Sequence, residues 1–207
     1  MVGIEVGTTA DADAVADLWV ALADGQREFD SHLLAEQNRQ TLRETIAQRA
    51  VADELLVARA DDESRETDDN SKNADDEPED ANAGGETDET GGDETDDAAA
   101  EPDTSETDDA PLVGFVTFGI ESNSYEQDTL RGIVQNLYVV SERRSEGVGS
   151  ALLDAAESEL SDAGADAVSL EVMADNADAR RFYRRHGYAP HRIELEKSVE
   201  NDTLTKE

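Results

Sequence analysis

The amino-acid sequence predicts an α/β protein: a mixed sheet covered by helices and interrupted by a long acidic segment. Three observations predict it. Apolar residues recur at helical spacing in some stretches and in short strand-like runs in others, in the order β-α-α-β-β-β-α-β-α-β. Residues 61–110 hold 23 of the 52 Asp and Glu of the chain and two of its 17 Lys and Arg, with almost no large apolar side chain. The 207 residues suffice to bury one core, so a single domain over 1–207 is expected.

The elements follow in order. Ile4 to Gly7 reads as a short strand. Thr9 or Asp11 can cap a helix through about Ala23, with Val15, Leu18, Trp19 and Leu22 at helical spacing. A second helix fits Leu34 to Val51, with Leu42, Ile46 and Ala50 on one face. Glu54 to Arg59 and Leu112 to Phe118 read as strands on either side of the acidic segment. Residues 61–110 cannot bury enough surface to offset their ordering entropy and are expected to be a disordered insertion. If the flanking strands pair, the insertion is an overgrown hairpin loop, and a tenfold longer loop costs about 2 kcal/mol of closure entropy. Gly132 to Val140 is a third such strand, and Ser145 to Ala163 a helix with Val148, Leu152, Leu153, Ala156 and Leu160 in a stripe. Ala167 to Met173 is a strand of the buried type, Asp178 to His186 a short helix closed by Gly187, and Tyr188 to Val199 one or two final strands.

Composition narrows the function. The chain has no cysteine, which excludes disulfides, thiolate metal sites and a Cys nucleophile. A net charge of −35 repels nucleic-acid phosphates and anionic lipid, so neither is expected as a partner. The longest mostly apolar run, Pro111 to Ile120, is half of the ~20 residues that span a bilayer. Met1 to Val6 lacks a basic region followed by an apolar stretch, so the expectation is a soluble cytoplasmic protein. Outside 61–110 the chain is still acidic, and Lys72, Lys197 and Lys206 are its lysines. That composition resembles proteins of salt-adapted organisms, in which salt screens self-repulsion.

The chemistry concentrates in two places. Val139 to Ser150 runs from a strand through a loop, with Gly147 and Gly149, into a helix. Glycines at a helix start let free backbone N–H groups approach an anion such as a pyrophosphate. A third glycine, as in a dinucleotide fingerprint, is missing because position 152 is Leu, and the Gly-Lys-Ser/Thr of a triphosphate loop is absent. The second place is Asn176 to Tyr188.

Together these segments resemble the GNAT superfamily of N-acetyltransferases. Its acyl-CoA loop reads Arg/Gln-x-x-Gly-x-Gly/Ala, here Arg144, Gly147 and Gly149. Its later segment reads Asn-x-x-Ala-x-x-Phe/Leu-Tyr-x-x-x-Gly-Phe/Tyr, here Asn176, Ala179, Phe182, Tyr183, Gly187 and Tyr188. The resemblance implies a mostly antiparallel sheet flanked by helices, with acetyl-CoA as acyl donor; the missing cysteines and scattered histidines leave no metal expected. The resemblance also implies that Leu137, Tyr138 and Val139, on a bulged strand, pair with the pantetheine arm. The backbone of Arg144, Ser145, Glu146, Gly147, Val148, Gly149 and Ser150 would hold the pyrophosphate. Asn176 would bond the pantetheine or the loop, and Tyr183 would sit beside the thioester sulfur as general acid. Many relatives carry Gly where this chain has Ser145 and a base where it has Glu146. Glu146 is therefore expected to point outward, with Arg143 and Arg144 supplying the positive charge.

The residues alone leave other readings open. Tyr183 could be a core aromatic of an amphipathic helix. Arg180, Arg181, Arg184 and Arg185 could be a solvated face or could meet the 3′-phosphate of CoA. Glu171, on what reads as a central strand, could be the base for the attacking amine, directly or through water, or a plain exposed or pairing carboxylate. His32, His186 and His191 are scattered and make no metal cluster. The acceptor is expected to be a primary amine, and the acidic exterior favours a cationic one such as a polyamine, a protein amino terminus or a lysine. A homodimer is compatible with the sequence. A non-catalytic acyl-CoA sensor, or a module recruiting basic partners through its acidic segment, are the alternatives.

Overall fold

The computed structural model describes residues 2–60, 110–122 and 125–199. Among them, five strands form one sheet in the order β1 (Val2–Val6), β2 (Leu55–Ala60), β3 (Leu112–Ile120), β4 (Arg131–Val139), β5 (Ala167–Leu170). The first three pairings are antiparallel and β4–β5 is parallel. Helices α1 (Ala12–Gln26) and α2 (Ala35–Val51) lie between β1 and β2 in the chain, α3 (Val148–Asp162) between β4 and β5, and α4 (Ala177–Arg185) after β5. This is the mixed, mostly antiparallel sheet flanked by helices that the sequence predicts.

Side-chain alternation explains the layering, because successive strand residues point to opposite faces. Leu56, Ala58, Val116, Phe118 and Val134 meet the Leu152, Leu153, Ala156 stripe of α3. Leu55, Val57 and Phe115 meet Val15, Trp19 and Ile46 of α1 and α2. Strand β2 is buried on both faces from Leu55 to Arg59. Strands β2 and β3 are antiparallel neighbours, and the N–H of Ala60 donates to Pro111 O at 3.1 Å. The acidic segment thus joins two adjacent strand ends. The insertion expected at 61–110 falls, apart from Ala110, outside the described residues.

A buried ion group closes the same corner. Arg59 donates to the carboxylates of Glu5 and Asp11 and, at 3.2 Å, to Ala110 O. The Arg59 and Asp11 side chains are 10% and 6% exposed. Asp11 also accepts from the Thr8 amide at 2.8 Å and the Thr8 hydroxyl at 3.0 Å.

Three expectations need correction. The third helix starts at Val148 rather than Ser145, because Ser145 (φ 68°) and Gly147 (φ 88°) occupy left-handed backbone that an α-helix cannot contain. Strand β5 ends at Leu170 on the sheet edge, so Glu171 lies past its end, exposed, and not on a central strand. Residues 188–199 contain no strand. Their apolar alternation meets no pairing edge: Ile193 and Leu195 are 82% and 89% exposed, and His32 Nε2 contacts Glu196 Oε1 at 2.8 Å.

Candidate active site

The site begins with a fault in β4. Thr117 of β3 faces Asn136, but Phe118 faces Val134, so Gln135 is an extra residue, a β-bulge. Strand β5 pairs with Arg131 to Val134 and no further. Beyond the bulge β4 has β3 on one side and, among the described residues, an open edge on the other. The Val140 amide donates to Val113 O of β3 at 2.9 Å. Antiparallel alternation then turns the polar backbone groups of Leu137 and Val139 towards the open edge. The Arg144 guanidinium occupies part of it, with Nε donating to Val139 O at 3.1 Å and Cζ 5.7 Å from the Tyr138 ring centroid.

A loop leads from this edge into α3. A 3₁₀ turn over Ser141–Arg143 is followed by the two left-handed residues, and Gly147 is the N-cap. A Cβ at Gly147 would meet nothing within 4 Å, but φ +88° disfavours any L side chain there. The first helical bond runs from the Ala151 amide to Gly147 O at 3.0 Å. The N–H groups of Val148, Gly149 and Ser150 precede it and lack a helical partner at the positive end of the dipole. Glu146 is exposed, 3.4 Å from Arg143, and both line a groove with Val2 and Ile4 on the β1 side of α3. Glu146 is thus exposed and pairs with Arg143, while Arg144 lies at the open edge.

Helix α4 packs across the start of α3. A Cβ at Gly149 would lie 3.7 Å from Phe182, so the glycine brings the two elements close. His186 joins them: Nδ1 is 2.9 Å from Phe182 O and Nε2 is 3.0 Å from Ser150 Oγ. A carbonyl can only accept, so Nδ1 carries a proton and donates to Phe182 O, while Nε2 and the Ser150 hydroxyl share the second bond. Asn176 is the N-cap of α4, its Oδ1 accepting from the Ala179 amide at 2.9 Å. Its carboxamide oxygen is thus occupied locally and does not bond the 144–150 loop.

Tyr183 stands edge-on between Phe182 (5.2 Å between centroids) and Tyr188 (5.8 Å). Burial pushes its phenol above the ordinary value, so it holds its proton throughout the neutral range. Every buried side-chain polar atom among the described residues has a partner; the Tyr183 hydroxyl has none, so it reaches open space at the edge of the core. Tyr188 donates to Glu157 Oε1 at 2.7 Å, and burial with that carboxylate raises its phenol too. The arginine run is exposed, and three of its four members are engaged locally: Arg181 pairs with Asp178, Arg180 donates to Ala174 O and Arg184 to Arg180 O.

Sequence reasoning missed the support beneath the open edge. Trp19 Nε1 donates to Asn136 Oδ1 at 3.1 Å, and Asn136 Nδ2 donates to Thr117 Oγ1 at 2.8 Å. Trp19 was placed on the core face of its helix, but nothing local in the sequence marks a contact 117 residues away. His186 looks merely scattered in the sequence because its partner, Ser150, lies 36 residues earlier.

Among the described residues no helix is long and apolar enough to cross a membrane, and no group of three or more His, Cys, Asp or Glu could hold a metal ion.

Comparison with known proteins agrees with this fold. The family model described as "Acetyltransferase (GNAT) family" matches residues 57–188. The aminoalkylphosphonate N-acetyltransferase of Salmonella typhimurium is 31% identical over 88 residues, 42% of this chain and 56% of that protein. The chain spans about half the length of the curated relatives it matches. A GCN5-related N-acetyltransferase from Ralstonia eutropha superposes with a TM-score of 0.59 at 15% identity, covering 97% of this chain and 100% of the other. The PaiA N-acetyltransferase of Thermoplasma acidophilum, solved in complex with coenzyme A, gives 0.58 at 15% identity over 94% and 93%.

Proposed function

Because the chain belongs to the acetyltransferase (GNAT) family, with its model matching across the acidic segment, we propose that residues 1–207 form one N-acetyltransferase domain carrying an insertion, which moves an acetyl group from acetyl-CoA to a primary amine by direct attack. The observation that carries this reading is the open edge of β4 lying beside the N-terminus of α3.

The residues present fit such a ligand. Leu137 and Val139 offer strand-like backbone groups to the amides of a pantetheine arm, with Tyr138 between them facing the α1 side. Arg144, Ser145, Glu146, Gly147, Val148, Gly149 and Ser150 form the loop whose free N–H groups suit a pyrophosphate. Arg144 must let go of Val139 O as a ligand adds to the edge, and its guanidinium then becomes available to phosphate oxygens. Bound acetyl-CoA supplies the thioester carbonyl that the amine attacks. Tyr183 acts as the general acid that protonates the departing sulfur, and the proton shed by the attacking amine passes to solvent, from which the phenolate is reprotonated. Its raised pKa suits a group that must stay protonated until the leaving group develops charge. Asn176 contributes by fixing the start of the helix that carries Tyr183. We read the net charge of −35 as adaptation to a salty cytoplasm, and the acceptor as a primary amine, favoured when cationic.

The test is calorimetric acetyl-CoA binding and thiol release against an amine panel, in molar salt, for wild type and Tyr183→Phe. The variant should bind acetyl-CoA like wild type and lose roughly 10²-fold in kcat, the usual scale of a general acid. Equal turnover would remove Tyr183 from the mechanism. Binding with no turnover on any amine would favour an acyl-CoA sensor, and no binding would overturn the reading.

A further inference from the structure

We propose that Asn136 is the positioning residue that fixes the register of β4 at its bulge and so holds β4 and β5 apart; the functional value of that opening rests on the proposed acetyl-CoA site. Side-chain parity carries the argument. Val134 packs in the core under α3, and beyond the bulge Leu137 and Val139 pack against the same core, whereas Tyr138 packs on the α1 side. Regular alternation from Val134 would put Asn136 under α3 and Leu137 under α1, because a one-residue slip moves every side chain to the other face. The extra residue, Gln135, is exposed and absorbs the shift.

Asn136 makes that shift the stable one. In the bulged register its carboxamide bridges Trp19 and Thr117, which are 7% and 1% exposed. In the unbulged register the carboxamide would face Leu152, Leu153 and Ala156, and both the indole N–H and the Thr117 hydroxyl would lose this partner. Stranding buried polar groups is costly, and a single buried Asn can select one packing register over another for that reason. A bulge also increases strand twist and bends the chain, which carries β4 away from β5 after the Val134–Leu170 pair. The trio therefore acts on the open edge through register, at no point touching a ligand.

The test replaces all three polar groups at once, Trp19→Phe, Thr117→Val and Asn136→Val, leaving no orphaned donor or acceptor. Amide hydrogen exchange at Leu137 and Val139 is read without ligand. In the triple variant these amides should exchange at least about tenfold more slowly, because the one-residue slip turns them from the open edge to hydrogen-bond with β3. KM for acetyl-CoA should rise about tenfold with kcat less affected. The single variant Asn136→Asp, whose carboxylate can accept from both the indole and the Thr117 hydroxyl, should keep wild-type exchange. Thr117→Val alone, which breaks one bond at nearly constant volume, should fall between and covers the case in which the triple variant does not fold. A merely structural trio would lower the melting temperature and leave exchange at the open edge and KM unchanged; that outcome overturns the proposal. The exchange readout needs no acetyl-CoA, so failure of wild type to bind it would sink the proposed function and leave the register test intact.

Discussion

Gly147 and Gly149 look equivalent in the sequence, and the structure separates them. Gly147 sits at φ +88° with open space where a Cβ would go; Gly149 is helical, and its Cβ would make ordinary contacts at 3.7 Å with Phe182 and Val139. Gly147→Ala therefore meets no clash, but forces an L residue into left-handed backbone at a cost of about 1–2 kcal/mol. For a chain of this size each kcal/mol is worth roughly 2–4 °C, so its melting temperature should fall by about 2–8 °C. Gly149→Ala gains helix propensity and fills space between α3 and α4, so it should be neutral or stabilising by up to about 1 kcal/mol. Strain at position 147 can be relieved by turning the loop, which would misdirect the N–H groups of Val148 and Gly149. Acetyl-CoA affinity should then fall up to roughly 30-fold in Gly147→Ala and change little in Gly149→Ala, a spread set by the same 1–2 kcal/mol. The assay is thermal melting plus calorimetric titration of both variants at one salt concentration. Equal melting shifts, or a larger loss of affinity at position 149, would refute the backbone argument.

Two further outcomes follow from described contacts. Tyr188 and Tyr183 have native pKa values raised above the unfolded value, so their stabilising contribution is complete below about pH 10 and is lost as pH rises from there through the native values. Unfolding followed from pH 9 to 11 should show wild type losing stability more steeply than Tyr188→Phe, and parallel curves would contradict it. Replacing residues 61–109 by a short turn removes 23 acids and two bases and leaves a net charge of −14. Since Ala60 and Pro111 already hydrogen-bond, the shortened chain should fold and tolerate lower salt than the parent. Failure to fold at any salt concentration would show that the segment is structural.

The parts of the fold legible in the sequence were those fixed by local periodicity and end signals. The Val148–Leu152–Ala156 stripe marked α3 and its buried face, and the two apolar runs flanking the acidic segment paired as expected. Boundaries failed where one backbone angle decides them: nothing in the letters around Ser145 shows that it takes φ 68° and delays the helix to Val148. The final strands failed because alternation at Ile193 and Leu195 states a propensity and not a partner. At the site, Gly147 and the α4 segment were legible because a chemical requirement ties residue type to place. The Trp19–Asn136–Thr117 bridge was not, because hydrogen bonds between distant polar side chains leave no period to detect.

The buried Arg59 corner bears on how such an acidic molecule keeps its shape when ions crowd it. At molar ionic strength the screening length shrinks to about 3 Å, and exposed pairs such as Arg39–Asp17 and Arg43–Asp13, which link α1 to α2, fade in value. Solvent ions reach Arg59 and Asp11 poorly, so that attachment between β1, β2 and the strand end at Ala110 keeps its strength. The two sides of the protein should therefore respond differently to concentrated salt. The helical pair on one face relies increasingly on its apolar contacts, while the sheet margin from which the acidic segment departs stays electrostatically fastened.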